Sequence, residues 1–236
     1  MSITPLSFHF VGHCSHTDLF SEFLTRTGTG RVTDDPTEAD AVCVFERDAA
    51  LHAALAQPHL DAGRPVFVEK PMALDVSTAR RLCSSVGPVT SFSTLRWAPG
   101  LSSLQGATRL TVTGPARPGD PAGWAFYGVH AVEIAQQILG GAPGPASTDA
   151  GPDGVRVRYA LGDVPVELDL APHHGHWQVT GVMDDGTTRI VDVEAGPGYF
   201  EPACREILDF ARTGVSPVPV ADMVGVVAVV EALASR

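Results

Sequence analysis

The chain has 236 residues, a formal net charge of −11, 44% apolar residues and 18% charged residues. This length can bury the core of one large or two small domains, and the composition is that of a globular protein rather than a disordered chain. The negative charge argues against binding to nucleic acid, and no apolar run approaches the length of about 18 residues that a membrane span needs. The N-terminus lacks the basic head and cleavage site of a signal peptide, so we expect a cytoplasmic protein without nucleic-acid or membrane partners.

The first 90 residues alternate between short apolar runs and helical patterns. The apolar runs predict strands over residues 8–11, 41–45 and 66–68. Helical periodicity predicts helices over residues 17–25, with Thr17 or Asp18 as the N-cap, and over residues 48–62 and 75–84. The order β-α-β-α-β implies parallel strands joined by right-handed crossovers.

After about residue 87 the pattern changes to short alternating strands. We predict antiparallel strands over residues 89–95, 108–113, 155–159, 164–170, 177–183 and 188–193, with a turn at Asp184-Asp185-Gly186. Helices are predicted over residues 127–139, 199–211 and 221–235. The Gly- and Pro-rich segments 115–123 and 141–154 are predicted loops.

Cysteines and histidines show no regular metal-binding or disulfide spacing. The four cysteines, Cys14, Cys43, Cys83 and Cys204, form no CxxC pair, which is typical of buried thiols in a reducing compartment. His13, Cys14 and His16 could offer metal ligands, as could His173, His174 and His176. Neither group has the spacing of a known zinc motif, so we predict no metal.

Lysine is the rarest basic residue of the chain. Of the 16 Lys and Arg residues only Lys70 is a lysine, and asparagine is absent, which indicates a composition bias that replaces Lys by Arg. An ammonium group can lose its proton when it is partly desolvated, whereas a guanidinium cannot. Lys70 is therefore a candidate for proton transfer, with chance survival of one surface lysine as the alternative.

Lys70 stands in a sequence context that resembles the Gfo/Idh/MocA family of nicotinamide-dependent oxidoreductases. The predicted strand 66–68 is followed by Glu69-Lys70-Pro71, the preceding strand opens at Asp40-Ala41-Val42, and His52 lies eleven residues before Gly63, as in the family pattern. Arg96 and Pro99 resemble the segment that enters the second domain. Gly128-Val129-His130, followed by Glu133 and Gly140, resembles the helix of the second catalytic element. The closing helices match as well, so the resemblance spans nearly the whole chain.

The resemblance implies roles for individual residues. Lys70 would be a donor or proton relay beside the nicotinamide, and His130 an acid/base group, with Tyr127 near it. Glu69 and Pro71, together with Gly12, His13 and Ser15 of the first turn, would hold NAD(P), and Arg96, Trp97 and Glu133 would face the substrate. On a helix, His130, Glu133 and Gln137 would share one polar stripe. A hydrogen-bonded core histidine is the alternative for His130.

The first turn departs from the dinucleotide fingerprint, whose glycines let the backbone approach a pyrophosphate. The turn is Gly12-His13-Cys14-Ser15-His16-Thr17, and only its first glycine remains. A protonated histidine and the helix N-terminus could still hold an anion.

Two further departures concern the ribose and the acid/base histidine. The segment 25–40 is so short that about one β-α unit, with the acidic residue that binds the adenosine ribose, is predicted to be missing. The family's aspartate four residues before the histidine is Phe126 here, so Tyr127 or Glu133 would have to orient His130.

Three functions remain open on the sequence. The chain can be an NAD(P)-dependent oxidoreductase acting on a small hydroxyl- or carbonyl-bearing metabolite. It can instead be a cofactor-independent isomerase, lyase, dehydratase or cyclase that uses the same pocket, or a non-catalytic partner subunit.

The predicted fold is α/β with two domains. Residues 1–88 form a reduced Rossmann-like parallel sheet, and residues 89–236 form an α+β substrate and dimerisation domain, with closing helices that can pack back on the first. We expect an open antiparallel sheet, whose free face would make a homodimer, and a substrate bound between the domains.

Overall fold

The computed structural model describes residues 4–117 and 123–234. Predictions for residues 1–3, for part of the loop 115–123 and for the end of the helix 221–235 lie outside these ranges. The chain divides into two compact units. Within the described residues, the first comprises 4–73, 77–92 and 200–219, and the second comprises 74–76, 93–117, 123–199 and 220–234.

The first unit is built on a five-stranded parallel sheet in the order β2-β1-β3-β4-β5. In chain order the elements are β1 (Leu6–Val11), α1 (Ser15–Thr27), β2 (Gly30–Val32), β3 (Ala41–Val44), α2 (Ala49–Asp61), β4 (Val66–Val68), α3 (Val76–Cys83) and β5 (Val89–Thr90). Strands β3 and β4 are buried throughout, as their continuous apolar sequences predict. The predicted α/β order and the parallel pairing are therefore confirmed.

Two sequence predictions for this sheet are corrected. Residues 89–95 do not form an antiparallel strand: only Val89–Thr90 is extended, and it pairs parallel to β4. The β-α unit predicted to be missing is half present, since Gly30–Val32 pairs parallel to β1 at the sheet edge and no helix follows it before β3. Three residues with two exposed side chains show too little apolar patterning to be read as a strand.

The second unit contains a six-stranded mixed sheet. Its elements are β6 (Arg109–Pro115), α4 (Gly123–Leu139), β7 (Ser147–Gly151), β8 (Gly154–Leu161), β9 (Val164–Ala171), β10 (Trp177–Val182) and β11 (Thr188–Val193). The strand order is β11-β10-β6-β9-β8-β7. The pairings are antiparallel as predicted, except that β6 and β9 run parallel, and β7 lies where the sequence predicted a loop. A run of Ser, Thr, Asp, Ala and Gly at a sheet edge has no apolar alternation to reveal it.

Helices α5 (Glu201–Thr213) and α6 (Val220–Ala234) close the two units. Helix α5 packs on α1 and β1 of the first unit, and α6 packs on α4 of the second. Gly128 lies where α6 approaches α4: a Cβ atom there would lie 2.4 Å from Leu233 Cδ1, so a larger residue would displace the end of the Leu233 side chain. Helix α4 covers one face of the mixed sheet through β6, β8 and β9. A homodimer through the other face stays a prediction.

Within the described ranges, no helix combines the length and the apolar character that crossing a bilayer requires.

Candidate active site

The segment Glu69-Lys70-Pro71 leaves the carboxyl end of β4, in the interior of the parallel sheet. The Glu69 N–H still donates to Val44 O (2.9 Å), so the sheet ladder fixes the backbone up to this residue. Both charged side chains are buried, Glu69 at 3% and Lys70 at 4% exposure. Ligands of open α/β sheets bind outside the carboxyl ends of the strands, and the segment lies at that edge.

His16, in the first turn of α1, faces the Glu69 carboxylate. Its Nδ1 lies 3.0 Å from both Oε1 and Oε2 of Glu69, and Lys70 Nζ lies 3.5 Å from Oε1. The His16 ring stacks on Phe200, with the ring centroids 4.2 Å apart and the planes 14° from parallel. Glu69 therefore lies between two nitrogen bases that the fold holds in place.

This arrangement keeps Glu69 ionised. Burial alone would raise the pKa of the carboxyl group, but His16, through its charge and hydrogen bond, and then Lys70 and His52 lower it below its ordinary value. His52 is itself fully buried, with Nδ1 2.8 Å from Pro71 O and Nε2 2.7 Å from Glu46 O. His52 thus ties the chain after β4 to the chain after β3.

The turn between β1 and α1 keeps one feature of a dinucleotide-binding turn and changes another. Gly12 has φ +75°, and a Cβ atom there would lie 3.0 Å from Glu46 Cα, so glycine is required. Cys14 rather than Thr17 or Asp18 is the N-cap of α1, and the predicted cap was wrong. The Cys14 thiol accepts from the Thr17 N–H, and the Thr17 hydroxyl accepts from the Cys14 N–H at 3.0 Å.

The other predicted turn residues lie at the surface. His13 is exposed, with Nε2 3.1 Å from Asp18 Oδ1, and Ser15 is the exposed first residue of α1. At the neighbouring strand, Thr33 N–H donates to Phe8 O (2.8 Å) just after β2, and the exposed Asp34 follows. An acidic residue is therefore present at the end of β2, which is the place where this fold class binds the adenosine ribose.

The second unit contains a separate buried polar network, which starts at His130 on α4. His130 Nδ1 lies 2.6 Å from Ser93 Oγ, and the Ser93 N–H donates to Glu133 Oε2 (2.8 Å). Arg96 Nη1 lies 3.4 Å from the same Glu133 oxygen and donates to Gln136 Oε1 (2.7 Å). Ser93, Arg96, Glu133 and Gln136 are all at most 6% exposed. The partner of His130 Nδ1 is thus a serine hydroxyl.

The predicted polar stripe on α4 is corrected at one position. Gln137 is exposed, whereas Gln136 is buried and joins the stripe by bonding Arg96 and, through Nε2, the carbonyls of Gly141 (3.1 Å) and Asp222 (3.2 Å). The α4 residues that bond to Ser93 and Arg96 are three positions apart on the helix: His130, Glu133 and Gln136.

Tyr127 and Trp97 lie at the margins of this network. The half-buried Tyr127 ring contacts Phe126, at a centroid distance of 5.3 Å, and the Arg117 guanidinium lies 5.8 Å from its centre. Trp97 ends the 3₁₀ helix Thr94–Trp97 and is half-buried. The Trp177 ring contacts His130, at a centroid distance of 5.8 Å.

Sequence reasoning missed Ser93 and the capping role of Cys14. Ser93 carried one usable signal, since a serine directly before a short helical segment favours an N-cap, and its Oγ does accept from Leu95 N–H (3.2 Å). Cysteine is not a common N-cap, so nothing in the sequence marked Cys14.

Comparison with known families gives a match over part of the chain. Residues 14–86 match the GFO_IDH_MocA family model, described as an oxidoreductase family with an NAD-binding Rossmann fold. No curated protein matches the chain in sequence.

Several solved structures share the fold over nearly the whole chain. UDP-N-acetylglucosamine 3-dehydrogenase GnnA from Acidithiobacillus ferrooxidans is 13% identical with a TM-score of 0.75, covering 98% of each chain. A Gfo/Idh/MocA family oxidoreductase from Vibrio cholerae is 16% identical with a TM-score of 0.70, covering 98% of this chain and 97% of that one. An oxidoreductase from Agrobacterium radiobacter, in complex with NAD+, L-tartaric acid and magnesium, is 14% identical with a TM-score of 0.72, covering 99% of this chain and 98% of that one.

At these identities the structures establish a shared fold, while the family match covers the segment that carries Cys14, His16, Glu69 and Lys70. The resemblance inferred from Glu69-Lys70-Pro71 is therefore confirmed for residues 14–86, which match the family model, and the chain as a whole shares the fold of the solved structures.

Proposed function

We propose that the chain is an NAD(P)-dependent oxidoreductase that interconverts the hydroxyl and carbonyl forms of a small metabolite, with Lys70 and His130 as proton-transfer groups. The observation that carries the proposal is the burial of the chain's one lysine beside the ionised Glu69, at the carboxyl end of β4. A buried ammonium group is costly unless it is paired with an opposite charge, and Glu69 supplies that charge.

Lys70 has the chemistry for the oxygen of the substrate. Oxidation of a carbinol removes a hydride from carbon and a proton from oxygen, and bound NAD(P) supplies the acceptor for the hydride. The amine of Lys70 would bind the oxygen and take its proton, or return it in the reverse direction. The Glu69 carboxylate, 3.5 Å from Nζ, balances the ammonium charge and limits where the amine can lie.

His130 is the second proposed proton-transfer group. Its ring is held by the 2.6 Å contact between Nδ1 and the Ser93 hydroxyl, which is anchored in turn by the Ser93 N–H on Glu133. A fixed imidazole is the usual requirement for efficient general acid/base catalysis. Ser93 thereby takes the orienting role for which the family uses the aspartate that Phe126 replaces.

The first unit partly fits a dinucleotide. Gly12 keeps the tight turn, the N-terminus of α1 favours anions, and Asp34 is available for a ribose hydroxyl. The obstacle is the Cys14 side chain, which already caps the N–H groups of α1. A thiol sulfur is a weak acceptor and a phosphate oxygen a strong one, so a phosphate can take the place of the sulfur when the thiol turns away.

A cofactor-independent isomerase, lyase, dehydratase or cyclase is the second candidate. The capped N-terminus of α1 favours it, because that is the position where this fold class holds a pyrophosphate. Lys70 and His130 could transfer protons to and from a substrate without a hydride acceptor.

Binding of NADH and NADPH, measured by calorimetry and by nicotinamide fluorescence, separates the two functions. Cys14 has an extended backbone (φ −146°, ψ 179°) that any residue adopts, so Cys14→Gly acts by removing the side chain. We expect wild-type binding, and an affinity about 10-fold higher for Cys14→Gly, which corresponds to about 1.4 kcal/mol. Cys14→Leu should bind more weakly than the wild type.

Absence of binding at millimolar cofactor, in the wild type and in Cys14→Gly alike, would reject NAD(P) dependence and leave the second candidate. Equal affinities of wild type, Cys14→Gly and Cys14→Leu would show that the cofactor, if bound, does not use this turn.

A further inference from the structure

We propose that Cys14, His16 and Glu69 form a three-ligand site for a transition-metal ion of the zinc class. One ligand atom of each side chain, the Cys14 sulfur, a His16 ring nitrogen and a Glu69 oxygen, lies within 4.8 Å of the other two. All three residues belong to the first unit. The sequence predicted no metal because Glu69 is 53 residues from His16, a separation that no spacing motif covers.

The ligand types select the metal. A thiolate, an imidazole and a carboxylate are the donors that Zn²⁺ binds, whereas Mg²⁺ and Ca²⁺ prefer oxygen ligands alone. Three protein ligands leave the fourth tetrahedral position open, as in zinc sites that bind a water or substrate oxygen. With metal–ligand bonds of about 2.0–2.3 Å, the ligand atoms of a tetrahedral site lie about 3.3–3.8 Å apart, so a closure of about 1 Å completes the geometry.

The fold holds the three ligands before any metal binds. Cys14 is fixed as the N-cap of α1, and the His16 ring is stacked on Phe200. Glu69 is fixed by its backbone bond to β3 and is 3% exposed. Rigid, largely buried ligands reduce the reorganisation that metal binding requires.

The local charges are compatible with a divalent ion. A metal ion binds the thiolate form of a cysteine, so the Cys14 thiol gives up its proton when the ion binds. Thiolate and carboxylate together then balance the two charges of the ion. Lys70, 3.5 Å from Glu69 Oε1, would act as an outer partner that orients the carboxylate.

Cobalt(II) provides the test, because Co²⁺ substitutes for Zn²⁺ and reports its ligands by absorption. The full chain is freed of metal with a chelator and titrated with Co²⁺. We expect one equivalent to bind, with the visible bands of tetrahedral cobalt and a thiolate-to-cobalt charge-transfer band. Cys14→Ser should lose the charge-transfer band, and His16→Gln should weaken binding at least about 100-fold.

Matched controls are available on both residue types. Cys83→Ser changes the other half-buried thiol, and His13→Gln changes an exposed histidine of the same turn. Both should leave the spectrum and the affinity unchanged. Circular dichroism of each variant establishes that it is folded.

The site would be refuted by Co²⁺ binding without a thiolate band, by a band that survives Cys14→Ser, or by an affinity that His16→Gln leaves intact. No detectable binding by the folded wild type refutes it equally. The readout needs no cofactor, so it fails independently of the proposed function: a chain that binds Co²⁺ in this way but no NADH keeps the site and loses NAD(P) dependence.

Discussion

In the described part of the chain, each unit buries one carboxylate beside a cation, but the two carboxylates have neighbours of different chemistry. Glu69 in the first unit lies between His16 and Lys70, with the Cys14 thiol nearby, and all three of these groups can exchange a proton or bind a metal. Glu133 in the second unit lies between Arg96 and the Ser93 N–H. Neither the guanidinium nor the backbone N–H loses its proton near neutral pH.

The difference indicates two uses of buried charge. Glu133 and Arg96 are hydrogen-bonded within the second unit, and these bonds hold Ser93 and the 3₁₀ helix Thr94–Trp97 on α4. We therefore expect the main contribution of this pair to be stability. The Glu69 group gathers reactive side chains at the edge of a sheet where ligands bind, so we expect its main contribution to be function. Variants in the two groups should therefore differ in which property they lose.

Lys70 should give the largest effect on activity. Lys70→Ala and Lys70→Arg should each lower kcat by at least about 10³-fold, because one lacks the amine and the other cannot release its proton. Both should remain folded, since Glu69 keeps the His16 contacts at 3.0 Å. The measurement is the rate of nicotinamide reduction or oxidation with the best substrate found in a panel of small polyols and keto compounds, with circular dichroism as the control for folding.

An active Lys70→Arg would contradict a proton-transfer role and leave Lys70 a purely electrostatic one. If Lys70→Ala unfolded, the Glu69 group would contribute to stability as the Glu133 group does, and the expected difference between the two groups would be lost.

Glu133 should give the largest effect on stability. Glu133→Gln leaves the buried Arg96 guanidinium without an ionic partner, which we expect to cost about 3–5 kcal/mol of unfolding free energy, as for other broken buried pairs. The control is Glu167→Gln, whose partner Arg158 lies 2.6 Å away in an exposed pair on β8 and β9. Such a pair is worth less than about 1 kcal/mol.

Urea unfolding of the two variants decides the point. Equal losses of unfolding free energy in both variants would mean that the Glu133 pair stabilises the fold no more than a surface pair does. The buried network would then have to be explained by function instead.

The sequence predicted the parts of the fold that depend on apolar periodicity. The continuous apolar runs of β3 and β4 and the amphipathic pattern of α5 identified their elements to within a few residues, because burial on given faces requires those patterns. The short edge strands β2 and β7 lack such patterns and could not be identified. The parallel pairing of β6 with β9 depends on long-range topology, which alternation does not encode.

The candidate site was predictable only where the family pattern supplied the residue. Lys70 and Glu69 follow a recognisable strand, whereas the contact of His16 with Glu69 joins residues 53 positions apart. The contact of His130 with Ser93 was missed for the same reason, since Ser93 lies 37 positions away. Long-range pairs of single polar residues leave no periodic signal.

Ser93 should give the smallest of the expected effects, and it tests the link between stability and function in the second unit. Ser93→Ala removes the 2.6 Å contact to His130 while the backbone N–H on Glu133 remains, so the ion pair stays satisfied. We expect kcat to fall about 10-fold with KM unchanged, the worth of one hydrogen bond of about 1.4 kcal/mol. Ser93→Thr keeps a hydroxyl and should recover most of the rate.

Loss of the N-cap to Leu95 would also lower stability by about 1 kcal/mol, and this structural part must be separated from the catalytic one. A purely structural role lowers the unfolding midpoint of Ser93→Ala but leaves the kcat of the folded protein at the wild-type value, and Ser93→Thr then rescues no rate. Ser102→Ala, an exposed serine of the next 3₁₀ helix, Leu101–Leu104, should change neither quantity. A lower kcat in Ser93→Ala that Ser93→Thr restores therefore assigns Ser93 to the positioning of His130, because the lost N-cap lowers the stability of the variant and not the kcat of its folded form.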